Sequence, residues 1–304
     1  MTDITVAIVN WNTGPLLEQC LASLQENRGS LSLQVIVADN NSGDQSARQA
    51  QQKHPWADFI YCPENRGFSS GNNLALTRAR GKYFLMLNPD TEVRAGALQI
   101  LKEFLDSHPG AAAAGPRLEY GDGSLQRSWS GRLVSPRAIL AETLGWKCLG
   151  ADPLGNSVPD GDTEVKGLMG ACILLRKEAV DQVGPMDENF FLVYEEADWC
   201  HRLIGAGWSL WYLPGAKVTH YTGQSSQHIP GKGLVESYQS LKYYLSKHYG
   251  RPAFWATSLA LVCIYSWWSL KTAVKKMIFG YSPELESRKV RFSYILQGLL
   301  TSRR

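Results

Sequence analysis

The chain has 304 residues, 44% hydrophobic and 19% charged, which excludes a disordered polymer and leaves length enough for a sizeable core. A formal net charge of +3 is too small to imply a nucleic-acid partner by itself. The length implies one large domain, or one domain with an appendage.

Residues 4–9, ITVAIV, form a continuous apolar, β-branched run, the pattern of a strand buried on both faces. Leu16, Leu17, Cys20, Leu21 and Leu24 then recur at helical spacing. LQVIVAD reads as a second strand ending at Asp39, residues 44–53 as a polar helix, and DFIYC as a third strand. A helix over 69–80 leads to a fourth strand at 82–87, a helix near 95–107 and a short strand at AAAAG. Strands alternating with helices predict a mostly parallel, doubly wound α/β sheet, Rossmann-like in its layering. From 117 to 163 Gly, Pro, Asp and Ser are frequent, and long loops with short elements are expected. VKGLMGACILLRKEAV reads as a strand running into a helix, and EEADWCHRLIGAG as a helix ended by Gly205 or Gly207. WSLWYLP and AKVTHY read as two strands, and 234–249 as an amphipathic helix.

Residues 253–270 hold eighteen positions without a charge, flanked by Arg251 on one side and Lys271, Lys275 and Lys276 on the other. Trp255, Trp267 and Trp268 suit a membrane–water boundary. The expectation is a helix lying in or dipping into the membrane interface; a true span and a buried core helix are the alternatives. The last stretch adds Arg288, Lys289, Arg291, Arg303 and Arg304 against only Glu284 and Glu286, a balance that suits an anionic membrane surface. The six cysteines, Cys20, Cys62, Cys148, Cys172, Cys200 and Cys263, form no C-x-x-C pair. With a strand starting almost at Met1 and no targeting segment ahead of it, they read as reduced thiols of a cytosolic protein.

In an open parallel sheet, ligands bind at the carboxyl ends of the strands. Those ends carry Asn10-Trp11-Asn12, Asp39-Asn40, Glu64-Asn65-Arg66-Gly67 and Asn88-Pro89-Asp90. Together they describe a polar crevice, although Asn, Asp and Gly in any one loop equally make turns. No G-x-G-x-x-G or P-loop follows the first strand, which excludes the dinucleotide fingerprint. The Asp39 carboxylate suits ribose hydroxyls or a pyrimidine N–H, and Arg66 suits a diphosphate. In NRGFSSGNN, which includes Asn72, Gly67 and Gly71 bracket a helix start near Ser69, where backbone N–H groups favour an anion. In YEEADWCHR, helical spacing puts Glu195, Asp198 and Arg202 near one face and Glu196 about a quarter turn away. The same acids would also complement a helix N-terminus.

VAIVNWN, VADNNSGD, NRGFSSGNN, LMLNPD, GACILLRKEAV, DENFFLVYEEADWCHRL and VTHYTGQS, in this order over residues 3–226, resemble family 2 glycosyltransferases of GT-A fold. Within that family the pattern is similar to bacterial rhamnosyltransferases of O-antigen and cell-wall polysaccharide assembly. The resemblance implies a GT-A domain over 1–230, with a nucleotide-sugar half at 1–116 and an acceptor half at 117–230; beyond it the composition gives a helical, basic and aromatic membrane-associating tail over 231–304. It implies inverting transfer of a sugar from a nucleotide diphosphate with Mn2+ or Mg2+. L-rhamnose from dTDP-rhamnose is the expected donor, and a polyprenyl-diphosphate-linked saccharide at the cytoplasmic membrane face the expected acceptor. By resemblance Glu196 is the base, where the family more often has Asp; Glu195 and Asp198 stay open as alternatives. Asn10, Trp11, Asn12, Asp39, Asn40, Arg66, Gly67, Gly71, Asn72, Asn88, Asp90 and Gly170 would line the nucleotide sugar. Asp90 and His220 would hold the metal, His220 opening a small loop to Ser225. Asn88 stands where many metal-dependent sugar transferases have a first aspartate. Asp187 and Glu188 lead into an acceptor-side loop, and both also fit a turn. A UDP-hexose or UDP-HexNAc donor is one alternative. A non-catalytic scaffold or binding subunit of a polysaccharide assembly complex is another.

Overall fold

The computed structural model describes residues 2–144, 158–221 and 232–279. Its N-terminal part alternates strand and helix: β1 (Ile4–Asn10), α1 (Leu16–Asn27), β2 (Leu33–Asp39), α2 (Ser46–Lys53), β3 (Asp58–Tyr61), α3 (Phe68–Leu76) and β4 (Tyr83–Leu87). Every residue of β1 and β4 is buried, as continuous apolar runs require of strands covered on both faces. β3, β2, β1 and β4 lie side by side in that order, all parallel. The chain steps outward from β1 to β3, then returns to the other side of β1 for β4. The resulting switch point puts a crevice over the carboxyl ends of β1 and β4, at Asn10 and Leu87.

The chain continues through β5 (Thr91–Val93), α4 (Ala97–Ser107), β6 (Ala111–Glu119), β7 (Leu125–Gln126), β8 (Trp129–Ser130), α5 (Pro136–Leu144), β9 (Thr163–Val165), β10 (Gly167–Leu168), β11 (Cys172–Arg176), α6 (Lys177–Val183), α7 (Glu195–Gly205), β12 (Ser209–His220) and α8 (Lys232–Phe279). Beyond β4 the sheet runs β11-β6-β12-β5 and becomes mixed, because β11 enters antiparallel to both β4 and β6. One core layer packs α1, α2 and α4 on the sheet through Leu17, Leu21, Ala50, Leu98 and Leu101. The opposite layer packs α3, α6 and α7 through Ala75, Val180, Trp199 and Leu203.

Several elements differ from the sequence expectation. VKGLMGACILLR is divided among three strands, not one: Val165 ends β9, which pairs with β12; β10 pairs with β8 in a separate two-stranded sheet; and β11 joins the main sheet after the break at Met169–Ala171. WSLWYLP and AKVTHY are one strand, β12, carried past Pro214-Gly215 by a register shift between Leu213 and Lys217. AAAAG extends to Glu119, and α3 stops at Leu76 rather than residue 80.

The chain divides into two compact units. One carries the sheet with α1–α4, α6 and α7; the other carries α5, Leu192–Tyr194 and α8. α8 is interrupted at Gly250, whose φ of 83° and ψ of 160° are not helical, two residues before Pro252. The loop Thr222–Ser225, His228, Cys148 and the charged residues from Glu284 to Arg304 lie outside the described residues.

Candidate active site

The turn after β4 is fixed from several sides. Asn88 donates its backbone N–H to Ala171 O (2.8 Å), and its carbonyl accepts from Thr91 Oγ1 (2.7 Å) and Cys20 Sγ (3.7 Å). β5 and β12 pair antiparallel with Thr91 opposite His220, and Tyr221 N–H donates to Asp90 O at 2.9 Å. This register brings His220 Nε2 within 3.3 Å of Asp90 Oδ1 and 3.4 Å of Asn88 Nδ2. Asp90 and His220 are both buried. On the other edge of the imidazole, Nδ1 lies 3.0 Å from Oε1 of buried Gln126 on β7. With that amide oxygen as acceptor, Nδ1 carries the hydrogen and Nε2 turns its lone pair toward Asp90 and Asn88. An imidazole oriented by an amide and set beside a carboxylate fits a divalent cation. Among the described residues no group of three or more His, Cys, Asp or Glu could hold one. The pair therefore suits a cation that takes its remaining ligands from a bound diphosphate.

Around the switch point the polar side chains brace one another. Asn10 is fully buried, and its Nδ2, with two hydrogens to donate, lies 2.8 Å from Asp39 Oδ1, 2.9 Å from Ser46 Oγ and 3.1 Å from Ser42 Oγ, while its Oδ1 accepts from Thr13 Oγ1 (2.5 Å). Asn10 is thus committed to holding Asp39 and the 42–46 loop, not turned to a ligand as the sequence suggested. Asp39 Oδ2 accepts from Ser42 N–H at 3.3 Å. Asn12, at φ 52°, accepts from Gly43 N–H (2.8 Å), and Trp11 beside it is partly exposed. Asn40 bonds to both Arg66 N–H (3.3 Å) and Gly67 O (2.9 Å), which ties the loops after β2 and β3 together. The Arg66 side chain stays exposed, 3.8 Å from Glu64.

The start of α3 is tied to the segment before α7. Phe68 N–H donates to Phe191 O (2.9 Å) and Ser69 Oγ to Phe190 O (2.9 Å). Gly67, at φ 88°, is required there: a Cβ would sit 2.5 Å from Phe191 O. Gly71 serves packing, since a Cβ on it would lie 2.7 Å from Val9 Cγ1. Asn72 is buried, donates to Phe68 O at 3.0 Å, and keeps an Oδ1 without a hydrogen-bond partner. Farther along α3, Asn73 bridges Met186 in both directions, at 2.9 Å each way, and reaches Glu188 at 3.0 Å. Asp187 caps its own turn by accepting from Asn189.

That segment runs into α7 through Val193 and Tyr194, both in the left-handed region at φ 67° and 74°. In the first turn of α7 the three acids part company. Asp198 is fully buried and accepts from Arg202 Nε at 2.8 Å, and Arg202 also binds the carbonyls of Val183, Gly184 and Pro185. Asp198 therefore anchors the 183–185 turn and is set aside as a base. Glu195 is buried. Glu196 is partly exposed, while its Oε2 is closed off from solvent without a hydrogen-bond partner. Burial pushes the Glu196 pKa up from 4.5, against a smaller downward pull from the N–H groups of Glu196 and Ala197. Gly170 lies against this side chain: a Cβ there would make ordinary contact, 3.5 Å from Glu196 Cβ. A desolvated carboxylate of raised pKa is suited to taking a proton.

The solved mannosyltransferase from Pyrobaculum calidifontis in complex with GDP-Man and Mn2+ shares the fold, with a TM-score of 0.57 and 15% identity over 97% of this chain and 85% of its own. The family model "Glycosyl transferase family 2" matches residues 5–184, and the chain belongs to that family. The N-acetylglucosaminyl-diphospho-decaprenol L-rhamnosyltransferase of Mycobacterium tuberculosis is 29% identical over 82% of this chain and 87% of its own. The GalNAc(5)-diNAcBac-PP-undecaprenol beta-1,3-glucosyltransferase of Campylobacter jejuni is 29% identical over 43% of each chain.

Proposed function

We propose that the protein transfers L-rhamnose from dTDP-rhamnose, with inversion, to a hydroxyl of a polyprenyl-diphosphate-linked saccharide at the cytoplasmic face of the membrane. The observation that carries the reading is the similarity to the mycobacterial rhamnosyltransferase across most of both chains. In this reading Glu196 Oε2 takes the acceptor hydroxyl's proton as that oxygen bonds to the anomeric carbon. The bond from that carbon to the diphosphate oxygen breaks, and its electron pair leaves with the nucleoside diphosphate. Asp90 and His220 would hold a Mn2+ or Mg2+ ion, which when bound supplies positive charge to the departing diphosphate. Gln126 keeps His220 in the tautomer that presents Nε2. Asp39 and Asn40 position the loops over the nucleotide.

The similarity to the Campylobacter glucosyltransferase favours a second reading, a UDP-hexose or UDP-HexNAc donor at the same site. A donor panel decides between them: release of nucleoside diphosphate from dTDP-rhamnose, UDP-glucose and UDP-GlcNAc, with and without Mn2+, with detergent-solubilised lipid-linked acceptor. Turnover of dTDP-rhamnose alone supports the first reading. Turnover of the UDP-sugars without dTDP-rhamnose replaces it with the second. No turnover of any donor by a folded protein favours the scaffold.

A further inference from the structure

After Gly250, α8 is inside out for water. The exposed side carries Trp255, Leu259, Cys263, Trp267, Leu270 and Val274, each three or four residues from the next and so on one face. Trp255, Leu259, Trp267 and Leu270 are 59%, 67%, 61% and 61% exposed. The buried side holds Thr257 and Ser258 beside Phe254 and Leu261, and Thr257 satisfies its hydroxyl within the helix by donating to Ala253 O at 2.7 Å. Water selects the reverse arrangement; hydrocarbon against the outer face selects this one. Arg251 precedes the stripe and Lys271 lies in its last turn, both exposed, and no charge lies between them. The stripe is about 28 Å long at 1.5 Å per residue, enough by length alone either to span or to lie flat.

The buried side decides between those two. Lys242, on the part of α8 before Gly250, holds its ammonium 5.7 Å from the Phe254 ring, and Tyr249 donates to Val134 O at 2.8 Å. Phe254, Thr257, Ser258 and Leu261 are 2%, 2%, 7% and 3% exposed, so protein covers this side of the helix as far as Leu261. A helix crossing the bilayer from Arg251 would carry that cover into hydrocarbon; one lying in the interface keeps it, with Lys242 and Tyr249, on the water side.

We propose that α8 beyond Gly250 docks in the plane of an anionic bilayer through the face Trp255, Leu259, Cys263, Trp267, Leu270 and Val274, without crossing it. The proposal rests on the membrane-face localisation above and adds its geometry. Arg251, ahead of the submerged face, and Lys271, in its last turn, then reach headgroup level.

The test uses the full chain and preformed vesicles of phosphatidylglycerol and phosphatidylcholine. The wild-type protein is expected to float with them. Leu259→Glu combined with Trp267→Glu is expected to lower the bound fraction by about tenfold or more, with the thermal melt of the protein unchanged because both positions are exposed. Arg251→Cys and Lys271→Cys, each in a Cys62→Ser, Cys148→Ser, Cys263→Ser background, report sidedness. An impermeant maleimide outside the vesicles is expected to label both equally. Protection of one end alone would show a span and overturn the in-plane geometry while leaving the localisation standing. Failure of the wild type to float would overturn both. Equal flotation of the glutamate variant, or a stable dimer in buffer that shields Cys263 and does not bind vesicles, would overturn the docking face.

Discussion

Gln126 and His220, 94 positions apart, meet through a 3.0 Å hydrogen bond between Oε1 and Nδ1. The bond fixes which imidazole nitrogen faces Asp90. Replacing Gln126 by Leu removes the acceptor and lets the ring rotate or change tautomer. Such oriented-histidine changes cost about 10- to 100-fold in metal affinity. The Mn2+ concentration for half-maximal activity should rise by that factor, with the maximal rate largely recovered at saturating Mn2+.

Glu196→Gln removes the carboxylate and nearly preserves its shape. The transfer rate should fall by about 10^2- to 10^4-fold, while affinity for the nucleoside diphosphate, measured by calorimetry, stays within a few-fold.

The raised pKa of Glu196 has two consequences for pH. Activity needs the ionised form, so the acid limb of the rate profile should lie above the ordinary value of 4.5. For stability, a carboxyl with its folded pKa raised contributes fully below its unfolded pKa, and that contribution is lost as pH rises through the folded value. Glu196→Gln should therefore melt at a higher temperature than the wild type at neutral pH, and the gap should narrow toward pH 4, near the ordinary carboxylate value.

Gly67 and Gly170 make a contrasting pair. Ala at Gly67 meets Phe191 O at 2.5 Å and a φ of 88°, whereas Ala at Gly170 meets Glu196 Cβ and Met86 Cε at 3.5 Å. Gly67→Ala should cost about 2 kcal/mol in denaturant unfolding. Gly170→Ala should stay within about 0.5 kcal/mol.

Asp198→Ala leaves Arg202 with its charge unpaired in a mostly buried place. The loss should be about 3 kcal/mol of stability. The folded fraction should keep its transfer rate, which separates an anchoring acid from a proton-taking one.

The parallel half of the sheet was legible because strands buried on both faces must be apolar without interruption, as ITVAIV and YFLML are. The spacing of Asp198 and Arg202 likewise announced their pairing. What could not be read was anything set by distant register. Gln126 carries no local signal, since its position beside His220 comes from the pairing of β7 with β6 and of β6 with β12. The contact of the α3 start with Phe190 and Phe191 joins residues about 120 positions apart, and nothing local in NRGF announces it. Pro214-Gly215 looked like a strand end, but the sheet absorbs it as an irregularity within β12. Asn10 and Gly71, read as ligand-facing because they sit by the crevice, are spent on bracing and packing.

The central claim is that Asp90 and His220 form half of a metal site that a donor diphosphate completes. Titrating Mn2+ into the purified protein by calorimetry, with and without saturating dTDP, tests it most directly. Binding should be weak alone, tighten at least about tenfold with dTDP, and disappear in both Asp90→Ala and His220→Ala. Equally tight Mn2+ binding without nucleotide, or tight binding that survives loss of either residue, would contradict the account.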